Sequence, residues 1–198
     1  MSEIEALIRE RFPLDANYAE HTADAAVLIA LTRETDPRVV FILRAGHLNS
    51  HAGEVAFPGG KREDGDDHPL HTALRETHEE IGLAPSAVDV IGMGPSRVSR
   101  WGLNVQSYIG IFDPSIALIA NPDEIAEVFS LPLSWLRSRE NLDITEVERN
   151  GKVWKTPSFS VNGMRIWGLT AVLMVEVLNE LFDYAPDIEL WPRDRGGK

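Results

Sequence analysis

One segment, residues 60–83, constrains the fold more than any other part of the chain. It reads GKREDGDDHPLHTALRETHEEIGL, and its second half has the apolar spacing of an amphipathic helix, which we predict from Leu70 to Ile81. Asp67 is the expected N-cap, Pro69 suits the first turn, and Gly82 suits the C-terminal stop. Because such a helix must bury its apolar face, the rest of the chain has to supply another layer.

Apolar, β-branched runs on both sides of this helix predict strands, and three further segments predict helices. Between Ala45 and Gly60 the sequence is rich in glycine, histidine and small polar residues, which indicates a loop. The irregular mixture of strands and helices favours an α+β fold. The expected strands are Ala25–Thr32, Arg38–Arg44, Val55–Phe57, Val88–Met93 and Val105–Phe112, with extended segments in Trp154–Ile166, and the other expected helices are Glu3–Phe12, Asn121–Glu127 and Thr170–Leu181.

Length and charge restrict the class of protein. The 198 residues show no linker or repeat, so we expect a single domain over residues 1–198. Acidic side chains outnumber basic ones by 31 to 19, and the net charge of −12 argues against nucleic-acid partners and acidic membranes. The chain has no cysteine, no signal-like start and no apolar run of the roughly 18 residues that a membrane span needs, so we expect a soluble, cytoplasmic protein.

The predicted helix carries a cluster of carboxylates. Glu76, Glu79 and Glu80 share one edge of it at spacings that bring like charges within about 5 to 6 Å. Hard oxygen ligands of this kind suit Mg²⁺ or Mn²⁺, which bind through one or two carboxylates together with substrate phosphates. The preceding Pro58-Gly59-Gly60 leaves backbone groups free to approach a phosphate or a metal ion, and Arg75 is placed to orient a carboxylate.

These residues resemble the signature of the Nudix hydrolases, G-x5-E-x7-R-E-U-x-E-E-x-G-U, in which U is a bulky aliphatic residue. The positions that match are Arg75, Glu76, Glu79, Glu80, Gly82 and Leu83. The chain departs from the signature at three points. Gly60 stands fifteen residues before Arg75 instead of fourteen, Asp66 or Asp67 replaces the first Glu, and Thr77 occupies an aliphatic position.

The resemblance implies a fold and a reaction. The fold is an α/β/α sandwich around a mixed central sheet, and the reaction is hydrolysis of a nucleoside diphosphate linked to another moiety, with Mg²⁺ or Mn²⁺ as cofactor. Glu76 and Glu80 would bind the metal directly, with Glu79 completing the cluster and the Gly59 or Gly60 backbone nearby. Arg75 would orient Glu76.

The residue that acts as general base is not decided by the sequence: it could lie on the predicted helix or on a separate loop. Glu79 or Glu80 could serve, but many similar enzymes use a Glu from another loop. Asn121-Pro122-Asp123-Glu124-Ile125-Ala126-Glu127 offers two candidates of that kind. We prefer Glu124 to Glu127.

A second motif narrows the resemblance to the coenzyme A pyrophosphatase subfamily, whose extra segment is approximately L-L-T-x-R-[SA]-x3-R-x3-G-x3-F-P-G-G. The spacings from Arg44 to Gly53 to Phe57 agree, whereas Ile42 and Asn49 depart from the Thr and the second Arg. The segment 167–171, WGLTA, resembles the W-G-x-T-A that those enzymes carry. This resemblance implies cleavage of coenzyme A into 4′-phosphopantetheine and adenosine 3′,5′-bisphosphate.

Coenzyme A would need cations for its phosphates and an aromatic ring for its adenine. For stacking on adenine, the sequence offers Trp101 or Tyr108. The candidates for phosphate contact are Arg44, Gly59, Gly60, Lys61, Arg62, Arg97 and Arg100.

Several alternatives stay open. The absence of the second motif arginine, at Asn49, favours an ADP-ribose or NADH-type dinucleotide pyrophosphatase. A nucleotide-binding regulator without turnover is less favoured, because the carboxylates of the helix are intact. His47 and His51 have the spacing of a zinc pair, but the glycines around them disfavour the helix that such a pair needs. The resemblance also allows a homodimer.

Overall fold

The computed structural model describes residues 2–47, 51–149 and 152–185. Along the chain the elements are α1 (Glu3–Arg11), β1 (Ala25–Thr32), β2 (Arg38–Arg44), β3 (Val55–Ala56), β4 (Gly59–Lys61), α2 (Pro69–Ile81), β5 (Asp89–Val98), β6 (Asn104–Phe112), β7 (Ile125–Pro132), α3 (Leu133–Arg137), β8 (Leu142–Arg149), β9 (Lys152–Val161), β10 (Met164–Ile166) and α4 (Gly168–Phe182). None of the described helices has the length and apolar character needed to cross a membrane.

A mixed sheet lies at the centre, with its strands in the order β3-β2-β1-β6-β5. β1 runs parallel to β6, with Leu28 opposite Tyr108, whereas β2 and β5 are antiparallel to their neighbours. The short strand β4 pairs with the start of β1, and β7 pairs with β2. Because β1 is buried along nearly its whole length, its sequence AAVLIALT is continuously apolar instead of alternating.

Helices cover both faces of this sheet. α2 packs on one face through Leu70, Ala73 and Ile81, which join apolar side chains of β1, β2 and β6 in one cluster. α1 and α4 belong to a second cluster, together with the side chains that β1, β2 and β6 direct to the other face. The alternation of side chains along the strands therefore separates two cores, and the expected α+β class with an α/β/α sandwich is confirmed.

The ends of α2 are fixed by its own sequence. The predicted cap at Asp67 is wrong, since the Nδ1 atom of His68 accepts the hydrogen bond from the amide of His71 at 3.1 Å. At the other end, Gly82 adopts the left-handed conformation at φ 72°, as its position predicts, and its amide donates to the carbonyl of His78. The carboxylates of α2 therefore stand on a helix whose start and stop are both defined.

The structure differs from the prediction beyond α2. The helix expected over Asn121–Glu127 is wrong: residues 122–124 form a single turn, and the chain from Ile125 onward pairs with β2 as β7. β4 begins in the segment for which the sequence predicts a loop, and the sequence does not predict β8. β8, β9 and β10 form a second sheet of three strands, which buries Phe159 and Ile166 on the α4 side of the molecule.

Candidate active site

Two consecutive glycines bring the backbone of β4 against the carboxylate edge of α2. Gly59 has φ 145°, and a Cβ atom there would lie 2.3 Å from the carbonyl oxygen of Ala26. A Cβ atom at Gly60 would lie 2.4 to 2.6 Å from the carboxylate atoms of Glu76. Since real Cβ atoms do not approach so closely, only glycine lets the main chain pass directly beside the Glu76 carboxylate.

Glu80 is the most deeply buried carboxylate of the cluster, with 1% of its surface exposed. Its Oε2 atom accepts the Gly59 amide at 2.9 Å, and its Oε1 atom accepts Nη1 of Arg44 at 3.2 Å. The Nε atom of Arg44 is also buried and has no hydrogen-bond partner in the described structure. Arg44 thus has unused donor capacity beside the carboxylates.

The electrostatics of the cluster favour a bound cation. Burial raises the pKa of Glu80 to about 8, against the opposing effects of the Gly59 amide and Arg44, and the charges of Glu76 and Glu124 raise it further. Burial also raises the pKa of Glu76, again with contributions from neighbouring carboxylates. Carboxylates that repel one another in a desolvated place are stabilised when a positive ion joins them.

Arg75 holds the other side of the cluster. Its Nε and Nη2 atoms donate to the two oxygens of Asp66 at 2.9 and 3.0 Å. The same guanidinium donates to Glu76 at 3.1 Å and to Glu79 at 2.9 Å. Arg75 therefore contacts both Glu76 and Glu79, and half of the Glu79 side chain is exposed to solvent.

Of Asp66 and Asp67, the contacts in the structure favour Asp66 as the acid that takes the place of the first Glu of the signature. It stands six residues after Gly60, as the signature requires. Besides Arg75 it accepts the hydroxyl of Thr72 at 2.9 Å and the amide of Glu63 at 3.0 Å. The hydrogen bonds from Arg75 hold the pKa of Asp66 well below its ordinary value. The extra residue relative to the signature therefore falls between Asp66 and Arg75.

The residues around Gly60 fit a divalent cation. Glu76 and Glu80 offer hard carboxylate oxygens on α2, and the backbone of Gly60 passes directly beside the Glu76 carboxylate. Within the described ranges, no three His, Asp or Glu side chains already form a metal cluster. Glu80 is held by Arg44, and Glu79 by Arg75, so a cation would compete with these guanidinium contacts.

Glu124 lies near this cluster on a tethered turn. The amide of Asn121 donates to the carbonyl of Glu80, and the amide of Ala45, just after β2, donates to the carbonyl of Glu124. The charge of Glu124 raises the pKa of both Glu76 and Glu80, which places its carboxylate within electrostatic reach of them. Glu127, three residues further on, is exposed on β7.

The candidate phosphate contacts divide into several groups. Lys61 is exposed beside Gly60, whereas Arg62 donates to the carbonyls of Asp66 and Asp67 and so braces the loop before α2. Arg97 was predicted to bind substrate, but it is buried and forms an ion pair with Glu176 of α4, on the face opposite α2. The guanidinium neutralises the buried Glu176 carboxylate on that face. The prediction that Arg97 binds substrate is therefore wrong, because its side chain lies on the side of β5 that faces away from α2.

The two candidate stacking rings have different surroundings. Tyr108 is fully buried in the core under α2, so the prediction that it stacks on adenine is wrong. Trp101 is 64% exposed, and its indole nitrogen donates to Nε2 of His51 at 3.1 Å. No local sequence pattern predicts this contact, because the two residues are 50 positions apart.

The comparisons with known proteins agree with this geometry. The family model described as NUDIX domain matches residues 22–153, so the chain belongs to the Nudix family. It is 38% identical over 156 residues to the protein of Escherichia coli K12 named uncharacterized Nudix hydrolase NudL, covering 77% of this chain and 80% of that one. The NudL protein of Cronobacter sakazakii matches to the same extent.

The fold also recurs among solved structures. A MutT/nudix family protein from Enterococcus faecalis aligns with a TM-score of 0.50 at 19% identity, covering 94% of this chain and 75% of that chain. With the family match and the named relatives, the chain is a Nudix hydrolase with an α+β sandwich.

Proposed function

We propose that this Nudix hydrolase cleaves the diphosphate bond of coenzyme A, or of its derivatives, with Mg²⁺ or Mn²⁺. Water attacks one phosphorus atom and the bond from that phosphorus to the bridging oxygen breaks, giving 4′-phosphopantetheine and adenosine 3′,5′-bisphosphate. The observation that carries the proposal is the buried Glu80, which the Gly59 amide and Arg44 hold beside Glu76.

Each residue of the cluster has a role in this reaction. Glu76, Glu80 and the Gly60 backbone would hold the divalent cation, with Glu79 at the solvent side. When bound, the cation neutralises phosphate charge and makes an aligned water more acidic. Arg75 keeps Glu76 in one orientation, and Asp66 fixes Arg75.

Glu124 is the base that we propose to take the proton of the attacking water. The amide of Asn121 donates to the carbonyl of Glu80, and the amide of Glu124 donates to the carbonyl of Asn121, so the main chain ties Glu124 to α2. Among the described residues, no arginine or lysine forms an ion pair with the Glu124 carboxylate. Glu79 and Glu80, by contrast, each contact a guanidinium, that of Arg75 and that of Arg44.

The coenzyme A assignment is supported by Arg44. The motif of that subfamily places an arginine at this position, and here its guanidinium reaches the carboxylate cluster with a buried Nε that lacks a partner. A phosphate oxygen would satisfy such a donor. Lys61, and Arg100 on the turn before β6, add positive charge for the remaining phosphates.

An ADP-ribose or dinucleotide pyrophosphatase is the second candidate, because Asn49 replaces the second arginine of the motif. Asn49 lies outside the described residues. Assays of the purified protein with Mg²⁺ against coenzyme A, ADP-ribose and NADH, side by side, distinguish the candidates. We expect the highest kcat/KM for coenzyme A, and a preference for ADP-ribose or NADH would contradict the assignment.

The proposal also covers the location and the oligomeric state of the protein. We place it in the cytoplasm as one domain that acts on small nucleotides, and its homodimer stays a prediction. Light scattering coupled to gel filtration measures the oligomeric state directly. A mass of one chain would contradict the dimer without affecting the reaction.

A further inference from the structure

A hydrogen-bonded chain of side chains fixes an exposed indole at the surface. The Glu54 carboxylate contacts Nδ1 of His51 at 2.7 Å, and Nε2 of His51 accepts the indole N–H of Trp101 at 3.1 Å. Arg100 donates to the other oxygen of Glu54 at 2.9 Å. Trp101 is therefore held in one orientation although 64% of it is exposed.

A cation covers part of this indole. The guanidinium of Arg100 lies 5.0 Å from the ring centre of Trp101 and 5.6 Å from that of Trp167, which precedes α4. Cation–π contacts at these distances stabilise the arrangement. The exposure of Trp101 leaves aromatic surface open to solvent, where a flat ring can stack.

A series of contacts connects the fixed indole to the carboxylate cluster. The amide of Arg44 donates to the carbonyl of Glu54, and the amide of Gly53 donates to the carbonyl of Arg44. The side chain of the same Arg44 contacts Glu80. The backbone hydrogen bonds between Arg44 and the segment Gly53-Glu54 therefore connect the Glu54–His51–Trp101 chain to the proposed site of diphosphate cleavage.

The backbone at His51 is held in an uncommon conformation. His51 has φ 56°, in the left-handed region that residues other than glycine seldom adopt. Its ring contacts Glu54 on one side and Trp101 on the other. These contacts offset the conformational cost and turn the ring toward the indole.

We propose that Trp101 is the stacking platform for the planar base of the substrate, and that His51 and Glu54 are positioning residues that hold it. The inference rests on the proposed function in one respect, that the substrate carries a nucleobase. Of the two rings that the sequence offered for stacking, Tyr108 lies in the core, whereas Trp101 is both exposed and fixed. The platform gives specificity for the nucleoside part and takes no part in the chemical step.

Calorimetry with two probes tests the platform. ADP carries the base and the diphosphate, and inorganic pyrophosphate carries the diphosphate alone. For Trp101→Ala we expect ADP to bind about 10-fold more weakly, with the affinity for pyrophosphate unchanged, because base stacking on an aromatic ring is lost. Trp101→Phe keeps a stacking ring and should stay much closer to the wild type. The matched control is Val153→Ala, which removes another exposed apolar side chain, 61% exposed and on β9.

A double-mutant cycle tests the positioning residues. His51→Ala should weaken ADP binding in the wild type but have no further effect in the Trp101→Ala background, because His51 acts only through the indole. In turnover, His51→Ala should raise KM and leave kcat unchanged. Additive losses in the cycle would show that His51 acts on its own and would overturn its positioning role.

The result can be separated from the proposed function. Unchanged ADP affinity in Trp101→Ala, or a wild-type protein that does not bind ADP, overturns the platform whatever the turnover shows. Loss of ADP binding in that variant, together with no hydrolysis of any nucleotide by the wild type, supports the platform and contradicts the reaction.

Discussion

Arg44 and Glu80 join the end of β2 to the buried edge of α2: Nη1 of the arginine lies 3.2 Å from Oε1 of the glutamate. Three-quarters or more of each side chain is removed from solvent. The Arg44 guanidinium and the Glu80 carboxylate therefore lie together in a site next to Gly59 from which most water is excluded. There the arginine could contact a diphosphate and the glutamate a metal ion.

Replacing Glu80 with glutamine removes the most buried ligand charge while keeping the shape of the side chain. We expect Glu80→Gln to lower kcat at least about 10²-fold, because one strong electrostatic contact to the transition state is lost. Steady-state kinetics with Mg²⁺ and circular dichroism measure activity and fold. Glu79→Gln is the matched control. Because Glu79 is half exposed and contacts Arg75, its substitution should lower kcat less than that of Glu80. Near-normal turnover of Glu80→Gln would contradict the metal role.

The raised pKa of Glu80 predicts a pH-dependent stability in the metal-free protein. The folded state holds the Glu80 proton up to a pKa of about 8, whereas the ordinary value is 4.5. The stability contributed by this proton is full below pH 4.5 and is lost as the pH rises through about 8. We expect the Tm of the wild type to fall, relative to that of Glu80→Gln, as the pH rises from 5 to 8.

Differential scanning fluorimetry in EDTA measures this difference at each pH. Addition of Mg²⁺ at pH 8 should restore the Tm of the wild type more than that of the variant, because the ion neutralises the Glu80 charge. A Tm difference that does not change with pH would contradict the raised pKa.

The sequence predicts the parts of the molecule in which local chemistry decides the structure. The periodicity of α2, the glycine at its end and the continuous apolar run of β1 all agree with the structure, because each depends on neighbouring residues. At Asn121 the sequence predicts a helix start where the structure has a turn, since an Asn-Pro-Asp sequence suits both. What separates them is the pairing of β7 with β2, a contact distant in the sequence.

For the candidate site as well, the sequence predicts what depends on neighbouring residues and misses what depends on distant contacts. The carboxylates and their spacing were identified, but the contacts that orient them come from elsewhere in the chain. The pairing of Arg97 with Glu176 spans 79 residues, so no local pattern shows that this arginine is already neutralised. Likewise, Asp66 and Asp67 are equivalent in the sequence until Arg75 is seen to contact only the first of them.

Substitution of the two glycines of β4 should separate stability from activity. Gly59→Ala places a methyl group 2.3 Å from the backbone oxygen of Ala26 at a φ of 145°, so we expect a loss of about 3 kcal/mol or more in unfolding free energy. Gly60→Ala meets only the flexible end of Glu76. The carboxylate can move aside, so stability should change by less than about 1 kcal/mol while kcat falls on the order of 10²-fold. Urea titration and kinetics on both variants measure the contrast, and equal losses of stability would contradict it.

Asp66→Asn should destabilise the protein by about 2 to 4 kcal/mol at pH 7, because Arg75 then loses its buried ionic partner. The pKa of Asp66 is lowered in the folded state, so its contribution is present above about pH 4 and is lost as the pH falls further. Urea unfolding at pH 7 and at several values below pH 4 should show the difference from the wild type narrowing. Asp67→Asn, at a side chain that is 87% exposed, should match the wild type, and a similar loss there would contradict the assignment.

Glu124 and Glu127 provide the test of the general base. Glu124→Gln keeps the backbone of the turn, which is held by main-chain hydrogen bonds to Glu80 and Ala45, so the variant should fold normally. We expect kcat to fall at least about 10²-fold, the usual size of a general-base contribution. Glu127→Gln removes an exposed carboxylate three residues further on and should keep near-normal kcat. If the two variants have equal activity, or if Glu127→Gln is the slower one, the base is not Glu124, and a carboxylate of α2 has to accept the proton.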